Sequence, residues 1–358
     1  MAVKSVVVMA GGTGGHVFPA LAVAKQLEQQ GIRIHWLGTA AGIEADIVPR
    51  NQLSITYLDV RGVRGQGAAR LLLAPFKIIA ATLAAMRVMR QVQADCVIGL
   101  GGYVTGPGGL AARLLGKPLV IHEQNAIAGF TNRMLSNIAT LVLQAFPGAF
   151  PPGPAVRTTG NPVRPEICAV TTPEERFAGR SGPLRVLVLG GSQGAVALNA
   201  LIPAAMALLP SESRPQLRHQ TGRKQVETTQ ANFTAAGVDA EVLPFIDDMA
   251  AAYAWADLVI CRSGALTVSE IAAVGVASVL VPYPFAVDDH QTANARYLTD
   301  AGAALLCPQK DLTPEGLAQA LQSVWQRDAL LAMAVKARGQ ARPEATATVA
   351  ACCLQPSA

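Results

Sequence analysis

The chain repeats one local pattern, an apolar run that enters a helical segment through a glycine-rich turn. Residues 6–22 read VVVMAGGTGGHVFPALA, and residues 185–202 read RVLVLGGSQGAVALNALI. A strand joined to a helix by such a turn opens a Rossmann-like α/β domain, in which ligands bind at the carboxyl ends of parallel strands. We therefore predict an α/β fold with two Rossmann-like domains whose parallel sheets face each other across a cleft.

Strand-like runs alternate with helical ones along both halves, as in successive βαβ units. We predict two domains, residues 1–163 and 164–339, with the Pro/Gly-rich passage 146–165 as their connector. The final helix, about 328–350, fits either domain, and the chain end from about 340 to 358 is expected to pack back on the first. The strands predicted after the two opening runs (Val6–Met9 and the run from Arg185) are Ile32–Leu37, Ile55–Leu58, Cys96–Leu100, Leu119–His122, Leu141–Gln144, Gln216–Gln220, Glu241–Val242, Leu258–Cys261, Ser278–Val281 and Ala304–Leu306. The clearest predicted helices are Pro19–Gln29 and Leu71–Gln91.

Composition agrees with a well-buried protein of two domains. The chain has 358 residues, more than one ordinary core accommodates, and 51% are hydrophobic while 15% are charged. Six scattered cysteines without metal-ligand spacing indicate a reducing cytoplasm. The longest apolar stretch, residues 71–86, is too short to span a bilayer and is interrupted by Pro75 and Lys77.

The first domain carries an excess of positive charge. Residues 1–163 contain 14 Lys and Arg against six Asp and Glu. Basic and apolar residues interleave over 61–91, a pattern that suits an anionic membrane surface. Nucleic acid is not expected, because this stretch has one aromatic residue and no base-stacking pattern. An ordinary amphipathic helix with a solvated basic face is the alternative. The candidate membrane-docking residues are Arg70, Leu72, Phe76, Lys77 and Ile79.

The glycine loops do not match a dinucleotide site. The fingerprint G-x-G-x-x-G needs a third glycine, but Val17 holds that place, and the second strand runs into Leu37-Gly38-Thr39 without an acid for a ribose. A Walker A lysine is also missing. A glycine loop that enters a helix still offers free N–H groups to a phosphate. The alternative is that these glycines only make tight turns. Because the chain has two such loops and a third glycine-rich segment, GLGGYVTGPGG (99–109), we favour ligand binding.

His16 lies at the end of the first glycine loop, just before Pro19, which we expect in the first helical turn. The positive end of a helix opposes protonation, so the imidazole should be neutral near pH 7 and able to accept a proton as a general base. The alternative is a histidine that only hydrogen-bonds its own loop.

A second polar cluster follows the strands of the second domain, in CRSGALTVSEIAAVG (261–275) and PYPFAVDDHQTANA (282–295). Glu270 can accept two hydrogen bonds from a nucleotide ribose, or it can form a capping box with Thr267. His290, Gln291 and Asn294 are of the kind that bind sugar hydroxyls; the alternative is a polar loop that leads into a helix capped by an Asp. The Asp pairs 247–248 and 288–289 are adjacent rather than D-x-D, so no metal site is predicted.

These motifs together resemble the bacterial MurG family of N-acetylglucosaminyltransferases. The resemblance rests on GGTGGHVFPALA, HEQNAIAGFTNR (122–133), GNPVR (160–164), GGSQGA (190–195), FIDDMAAAYAWAD (245–257) and CRSGALTVSEIAA (261–273), in collinear order over nearly the whole chain. It implies a fold of GT-B type and an inverting transfer that needs neither metal nor cofactor. The implied donor is UDP-N-acetylglucosamine (UDP-GlcNAc). The implied acceptor is lipid I, undecaprenyl-pyrophosphoryl-N-acetylmuramoyl-pentapeptide.

The resemblance also implies roles for individual residues. His16 is the implied base, beside Thr13, Gly14 and Gly15; Asn125 and Arg164 match donor-binding positions, Ser192 the nucleotide phosphates and Ile246 the uracil. Ala265, Leu266, Thr267, Val268, Ser269 and Glu270 are implied to hold the nucleotide, with Glu270 on the ribose and Gln291 on the GlcNAc hydroxyls. The first domain would then face acceptor and membrane, and the second would bind the donor.

The family also implies a peripheral protein on the cytoplasmic face of the bacterial inner membrane, with proteins of cell-wall synthesis and division as possible partners. Two other functions fit the same residues: a UDP-GlcNAc 2-epimerase that acts on the donor alone, and a non-catalytic protein that binds a UDP-sugar or scaffolds at the membrane.

Overall fold

The protein divides into two compact units, each of which has its own parallel sheet. The computed structural model describes residues 2–60, 68–191 and 194–357, with backbone alone for 68–74 and 287. The N-terminal unit comprises Met1–Arg164 and Pro343–Ala358, and the C-terminal unit comprises Pro165–Arg342.

The sheet of the N-terminal unit has seven strands among the described residues, all parallel, in the order β3-β2-β1-β4-β5-β6-β7. The strands are β1 (Ser5–Met9), β2 (Arg33–Gly38), β3 (Ser54–Tyr57), β4 (Cys96–Gly99), β5 (Leu119–Glu123), β6 (Leu141–Gln144) and β7 (Val156–Thr158). The helices between them are α1 (Gly14–Gln29), α2 (Glu44–Arg50), α3 (Ala68–Gln91), α4 (Thr105–Leu114) and α5 (Phe130–Leu135).

Both faces of this sheet are covered. Successive side chains of a strand point to opposite faces, so Val6 and Val8 pack in one apolar cluster with α1, while Val7 and Met9 pack in another with α3 and α4. A strand buried on both faces is apolar at every position, which explains the continuous valine run of β1.

The C-terminal unit has the same construction, with a six-stranded parallel sheet in the order β10-β9-β8-β11-β12-β13 within the described ranges. Its strands are β8 (Arg185–Leu189), β9 (Gln216–Gln220), β10 (Glu241–Leu243), β11 (Leu258–Cys261), β12 (Ala277–Leu280) and β13 (Ala304–Leu306). Its helices are α6 (Pro165–Cys168), α7 (Pro173–Phe177), α8 (Val196–Ala207), α9 (Val226–Ala235), α10 (Met249–Trp255), α11 (Ala265–Val274), α12 (His290–Thr299), α13 (Pro314–Gln322) and α14 (Arg327–Gly339). Every predicted strand is present, and no end differs from the prediction by more than one residue.

The chain end returns to the N-terminal unit as α15 (Ala345–Leu354), which packs against α1 and β4. The single predicted helix over 328–350 is wrong: α14 ends at Gly339 and α15 begins at Ala345. Pro343 lies in the gap, and a proline inside a helix removes a hydrogen bond and clashes with the preceding turn.

Two further predictions need correction. The passage 146–165, predicted as a connector, contains β7, a three-residue edge strand too short to show a periodic pattern. Pro19 lies inside α1 rather than in its first turn, because Thr13 is the N-cap and its carbonyl already accepts the N–H groups of His16 and Val17. Pro19 has no N–H to donate to the carbonyl of Gly15, which loses its helical partner.

In the described part of the chain, no helix combines the length and apolar character that crossing a bilayer requires. All six cysteines are free thiols, and five of them are buried. Burial raises the pKa of the Cys261 thiol to about 12, so this cysteine is chemically inert in the folded protein.

We predict that His219 on β9 makes the protein sensitive to acid. Burial lowers the pKa of this histidine from 6.5 to about 3, so below pH 6.5 the unfolded chain binds a proton that the folded chain rejects. Stability is therefore lost as pH falls, by up to about 1.4 kcal/mol per pH unit. His219→Phe keeps the ring against Phe233, whose centroid lies 5.7 Å away, and removes the titration.

Urea unfolding at pH 7.5 and pH 5.0, followed by tryptophan fluorescence, measures the effect. Between these pH values the wild type should lose about 2 kcal/mol more than His219→Phe. The buried His122, whose pKa burial also lowers, is present in both proteins and cancels. Equal losses would contradict the prediction.

Candidate active site

Parallel pairing places the carboxyl ends of all strands of a sheet at one edge, and the predicted residues of the N-terminal unit lie there. Thr13, Gly14, Gly15 and His16 follow β1, Asn125 follows β5, and Arg164 follows β7. These segments are far apart in sequence, and the order of strands in the sheet brings them to the same edge.

His16 lies in the first turn of α1, half-buried, with its ring turned back onto the loop. Nδ1 lies 3.2 Å from the carbonyl oxygen of Gly11. A carbonyl can only accept a hydrogen bond, so Nδ1 carries the proton in this contact and Nε2 is the basic nitrogen of the neutral ring. The loop hydrogen bond, weighed above as an alternative to a base role, is thus compatible with that role.

The third glycine segment packs against this histidine. Gly101 has a φ of +108°, and a Cβ atom there would lie 2.9 Å from Nε2 of His16. Gly102 has a φ of +88°, and its Cβ would lie 2.6 Å from the Gly11 oxygen. Side chains are excluded from both positions by conformation and by contact, so these glycines allow the β4 loop to close on the β1 loop.

A residue that the sequence analysis missed, Glu44, holds the first glycine loop in place. Its side chain is fully buried at the start of α2, and its carboxylate accepts hydrogen bonds from the Gly12 N–H (2.9 Å), the Thr39 N–H (2.8 Å) and the Thr39 hydroxyl (2.7 Å). The sequence signal that could have indicated Glu44 is an acid six residues after Gly38, in the segment LGTAAGIEAD (37–46). This pattern is weak, because glutamates on the protein surface produce it as well.

Asn125 is held by a second buried carboxylate. Oε1 of Glu123, which is 3% exposed, accepts from the Asn125 N–H at 3.0 Å and from its side-chain Nδ2 at 3.1 Å. Oε2 of Glu123 accepts from the Gly129 N–H and from Nδ2 of Asn132. These contacts orient the Asn125 amide with its nitrogen toward the protein.

Arg164 lies beside the first loop. Its guanidinium carbon is 5.8 Å from the centroid of the Phe18 ring, a cation–π distance that connects the GNPVR segment to α1. The segment is also held by His122, whose Nε2 lies 2.9 Å from the Gly160 carbonyl oxygen. Arg164 and His16 therefore belong to one packed set of loops.

In the C-terminal unit, the predicted residues again follow strands at the carboxyl edge. Ser192 falls outside the described residues. Its neighbour Gly194 has a φ of +78°, and a Cβ there would lie 2.1 Å from the Thr221 oxygen, so close backbone packing requires glycine at this position. The same carbonyl accepts from Nδ2 of Asn199 at 3.1 Å.

Residues 265–270 form the first turns of α11. Its N-cap is Gly264, and Thr267 is the third helical residue, so the alternative capping box of Thr267 with Glu270 is wrong. Glu270 is 5% exposed and accepts a hydrogen bond of 3.1 Å from the Tyr253 hydroxyl. The Val268 side chain is fully buried in the core, while Leu266, Thr267 and Ser269 are half-buried and Ala265 is buried.

Ile246 is half-buried in the loop between β10 and α10. In the same loop, the Asp248 carboxylate accepts from the Ala251 N–H at 2.9 Å and caps α10, which accounts for one member of the adjacent Asp pair. No group of three potential metal-ligating His, Cys, Asp or Glu side chains occurs in the ranges that the structure describes.

Gln291 lies in the first turn of α12, and its Oε1 accepts from the Tyr283 N–H at 2.9 Å. This contact turns the amide nitrogen, a donor, away from Tyr283. Asn294, one turn further along, donates through Nδ2 to the Ser263 carbonyl at 3.1 Å and ties α12 to the loop before α11.

Comparison with known proteins identifies the family. The N-terminal domain of glycosyltransferase family 28 matches residues 6–144, and its C-terminal domain matches residues 185–349. A Marinobacter nauticus protein named UDP-N-acetylglucosamine–N-acetylmuramyl-(pentapeptide) pyrophosphoryl-undecaprenol N-acetylglucosamine transferase is 54% identical over 348 residues, which cover 97% of this chain and 96% of that protein.

Solved structures agree with the sequence comparison. The crystal structure of Acinetobacter baumannii MurG is 50% identical, with a TM-score of 0.86 over 98% of this chain and 99% of that one. A Listeria monocytogenes structure described as a UDP-N-acetylglucosamine 2-epimerase has a TM-score of 0.68 over 98% of this chain and 96% of that one, but at 14% identity it shares the fold alone. The predicted GT-B fold is confirmed, and so is the resemblance read from the motifs: the chain belongs to the MurG family of N-acetylglucosamine transferases, within glycosyltransferase family 28.

Proposed function

We propose that this enzyme transfers GlcNAc from UDP-GlcNAc to the C4 hydroxyl of the N-acetylmuramoyl residue of lipid I. Membership of the transferase family supports the reaction class, and the names of relatives more than half identical supply the substrates. The observation that carries the mechanism is His16, whose ring is held through Nδ1 at the carboxyl edge of the sheet so that Nε2 is its basic nitrogen.

In this mechanism Nε2 of His16 takes the proton of the acceptor hydroxyl as its oxygen attacks the anomeric carbon of GlcNAc. The bond to UDP breaks on the opposite side, and the configuration inverts. Negative charge develops on the departing diphosphate. The N-termini of α8 and α11, both at the carboxyl edge of their sheet, supply partial positive charge for it.

We assign the donor to the C-terminal unit, through Ser192 at the phosphates, Ile246 at the uracil, residues 265–270 at the nucleotide and Gln291 at the sugar. Glu270 is the proposed ribose ligand. Its carboxylate is oriented by the hydrogen bond that it accepts from the Tyr253 hydroxyl at 3.1 Å. Thr13, Gly14, Gly15, Asn125 and Arg164 are the proposed contributions of the N-terminal unit.

We also propose that α3 docks the enzyme on the anionic inner leaflet, where a lipid-linked acceptor resides. Phe76, Ile79 and Leu83 are 71%, 56% and 55% exposed, and their spacing of three and four residues puts them on one face of the helix. Exposed Arg87 and Arg90 continue that face, and Lys77 is exposed beside it. The candidates Arg70 and Leu72 lie on α3 where side chains are not described.

Replacement of the proposed base should slow the chemical step. General base catalysis typically contributes about 10²–10⁴-fold, so His16→Ala should lower kcat by that range while UDP affinity stays unchanged by calorimetry. His16→Gln, which keeps a polar side chain that can donate and accept hydrogen bonds but has no basic nitrogen, is the matched variant and should be equally slow. A kcat within twofold of wild type in either variant refutes the base role.

Removal of the Glu270 charge should weaken nucleotide binding. A hydrogen bond to a charged group contributes about 1.5–3 kcal/mol, so Glu270→Gln should raise the Kd for UDP about 10- to 100-fold. Tyr253→Phe is the matched control, because it removes the Tyr253–Glu270 hydrogen bond and leaves the carboxylate. If both variants bind UDP with the same affinity, Glu270 has a structural role and is not a ribose ligand.

Loss of the exposed apolar face should release the enzyme from membranes. Phe76→Glu/Ile79→Glu should lower the fraction that floats with phosphatidylglycerol vesicles by at least about tenfold, since each buried side chain is worth about 1.5–3 kcal/mol. Leu208→Glu, at a 50% exposed leucine of the C-terminal unit, is the control and should float as wild type. Unchanged flotation of the double variant would remove α3 as the docking surface.

A further inference from the structure

We propose that Glu44 is a positioning residue for His16 and that it acts through the peptide group between Gly11 and Gly12. The proposal rests on the role of His16 as base. It assigns a function to a buried carboxylate that the transfer mechanism does not otherwise use.

The geometry is a continuous chain of hydrogen bonds. The Gly12 N–H donates to Oε2 of Glu44 at 2.9 Å, and the Gly11 carbonyl accepts from Nδ1 of His16 at 3.2 Å. The carbonyl of one residue and the N–H of the next belong to the same peptide group. Carboxylate, peptide and imidazole are therefore linked in series.

The carboxylate is rigidly held at its end of the chain. Its side chain is fully buried, and Oε1 accepts from both the N–H and the hydroxyl of Thr39. All three partners of Glu44 are donors, which matches an ionised carboxylate, an acceptor of hydrogen bonds only. The Gly12 N–H thus already donates to the Glu44 carboxylate, so it is not available to a substrate phosphate.

Three glycines make room for the carboxylate. A Cβ atom would lie 2.5 Å from a Glu44 side-chain atom at Gly11, 2.7 Å at Gly38 and 2.0 Å at Gly42. The closeness of these contacts indicates that the β1 and β2 loops are shaped around Glu44. Packing against Glu44 therefore explains the glycine at position 11 of the first loop without a ligand.

Two effects on His16 follow. A charge at one end of a hydrogen-bonded peptide strengthens the acceptor at its other end, by perhaps 10–30% per bond, so the Nδ1 proton is held more firmly and Nε2 stays the basic nitrogen. When His16 takes the acceptor proton, Nδ1 keeps its own, and positive charge develops on the ring. The polarised carbonyl stabilises that charge while Glu44 remains ionised. A carboxylate that contacts a catalytic histidine directly acts in the same way, without the intervening peptide.

The test compares wild type with Glu44→Gln, which has nearly the same shape without the charge, after labelling with ¹⁵N-histidine. Long-range ¹H–¹⁵N spectra should report the Nδ1–H form of His16 in the wild type and a mixture of both neutral forms in Glu44→Gln. In parallel, kcat should fall on the order of 10-fold, as for other residues that orient a functional histidine, with KM for UDP-GlcNAc changed less than twofold.

Thr39→Val is the control, because it removes one donor to Glu44 and leaves the carboxylate on Gly12. It should keep the wild-type spectrum and a kcat within threefold. A wild-type ring protonated on Nε2, or a Glu44→Gln variant with wild-type spectrum and kcat, overturns the proposal. The first result needs no variant, so the proposal stays testable even where Glu44→Gln does not fold.

His16→Ala separates this proposal from the proposed function. An active His16→Ala enzyme refutes the base role, and the ¹⁵N spectra still decide whether Glu44 controls the ring. An inactive His16→Ala enzyme beside an unaffected Glu44→Gln enzyme refutes the positioning role alone.

Discussion

Parallel strand pairing is the constraint on which the candidate site depends. Strands that run in one direction can be joined only by crossovers, and their carboxyl ends then meet at one edge of each sheet. The parallel strands place the loops of His16, Asn125 and Arg164 at the same edge of the N-terminal sheet, although these residues are far apart along the chain. No single segment contains the site, and each supplies one or two groups to an edge that the sheet creates.

Buried carboxylates then give these loops a defined shape. A charged group inside a protein must be hydrogen-bonded, and the turns after parallel strands expose N–H groups that the sheet leaves unused. Glu44 accepts from Gly12 and Thr39, and Glu123 accepts from Asn125 and Gly129. In both cases an acid within the N-terminal unit satisfies loop donors that would otherwise attract a phosphate. This arrangement agrees with the proposal that the donor phosphates bind to the C-terminal unit.

Whether a strand, helix end or cap was predicted correctly depends on how local its sequence signal is. The strands were predictable because buried parallel strands read as short apolar runs between glycines. β7 was missed since an edge strand of three residues has no such run. Pro19 was misplaced because proline favours the first turn of a helix, whereas the helix already begins at Gly14, one residue after its Thr13 cap. The Thr267–Glu270 pair has the spacing of a capping box, but α11 starts three residues too early for Thr267 to cap it.

The sequence by itself determined the two-domain α/β architecture, the family and the identity of the histidine in the first glycine loop, because all three are carried by contiguous motifs. The tertiary structure alone decided which nitrogen of His16 bears the proton, that Glu44 lies behind the loop, and that the Gly12 N–H is occupied. These properties depend on hydrogen bonds between residues that are distant in the chain. Local periodicity and spacing cannot predict such hydrogen-bond partners, because the partners come together only when the sheet forms and its loops pack.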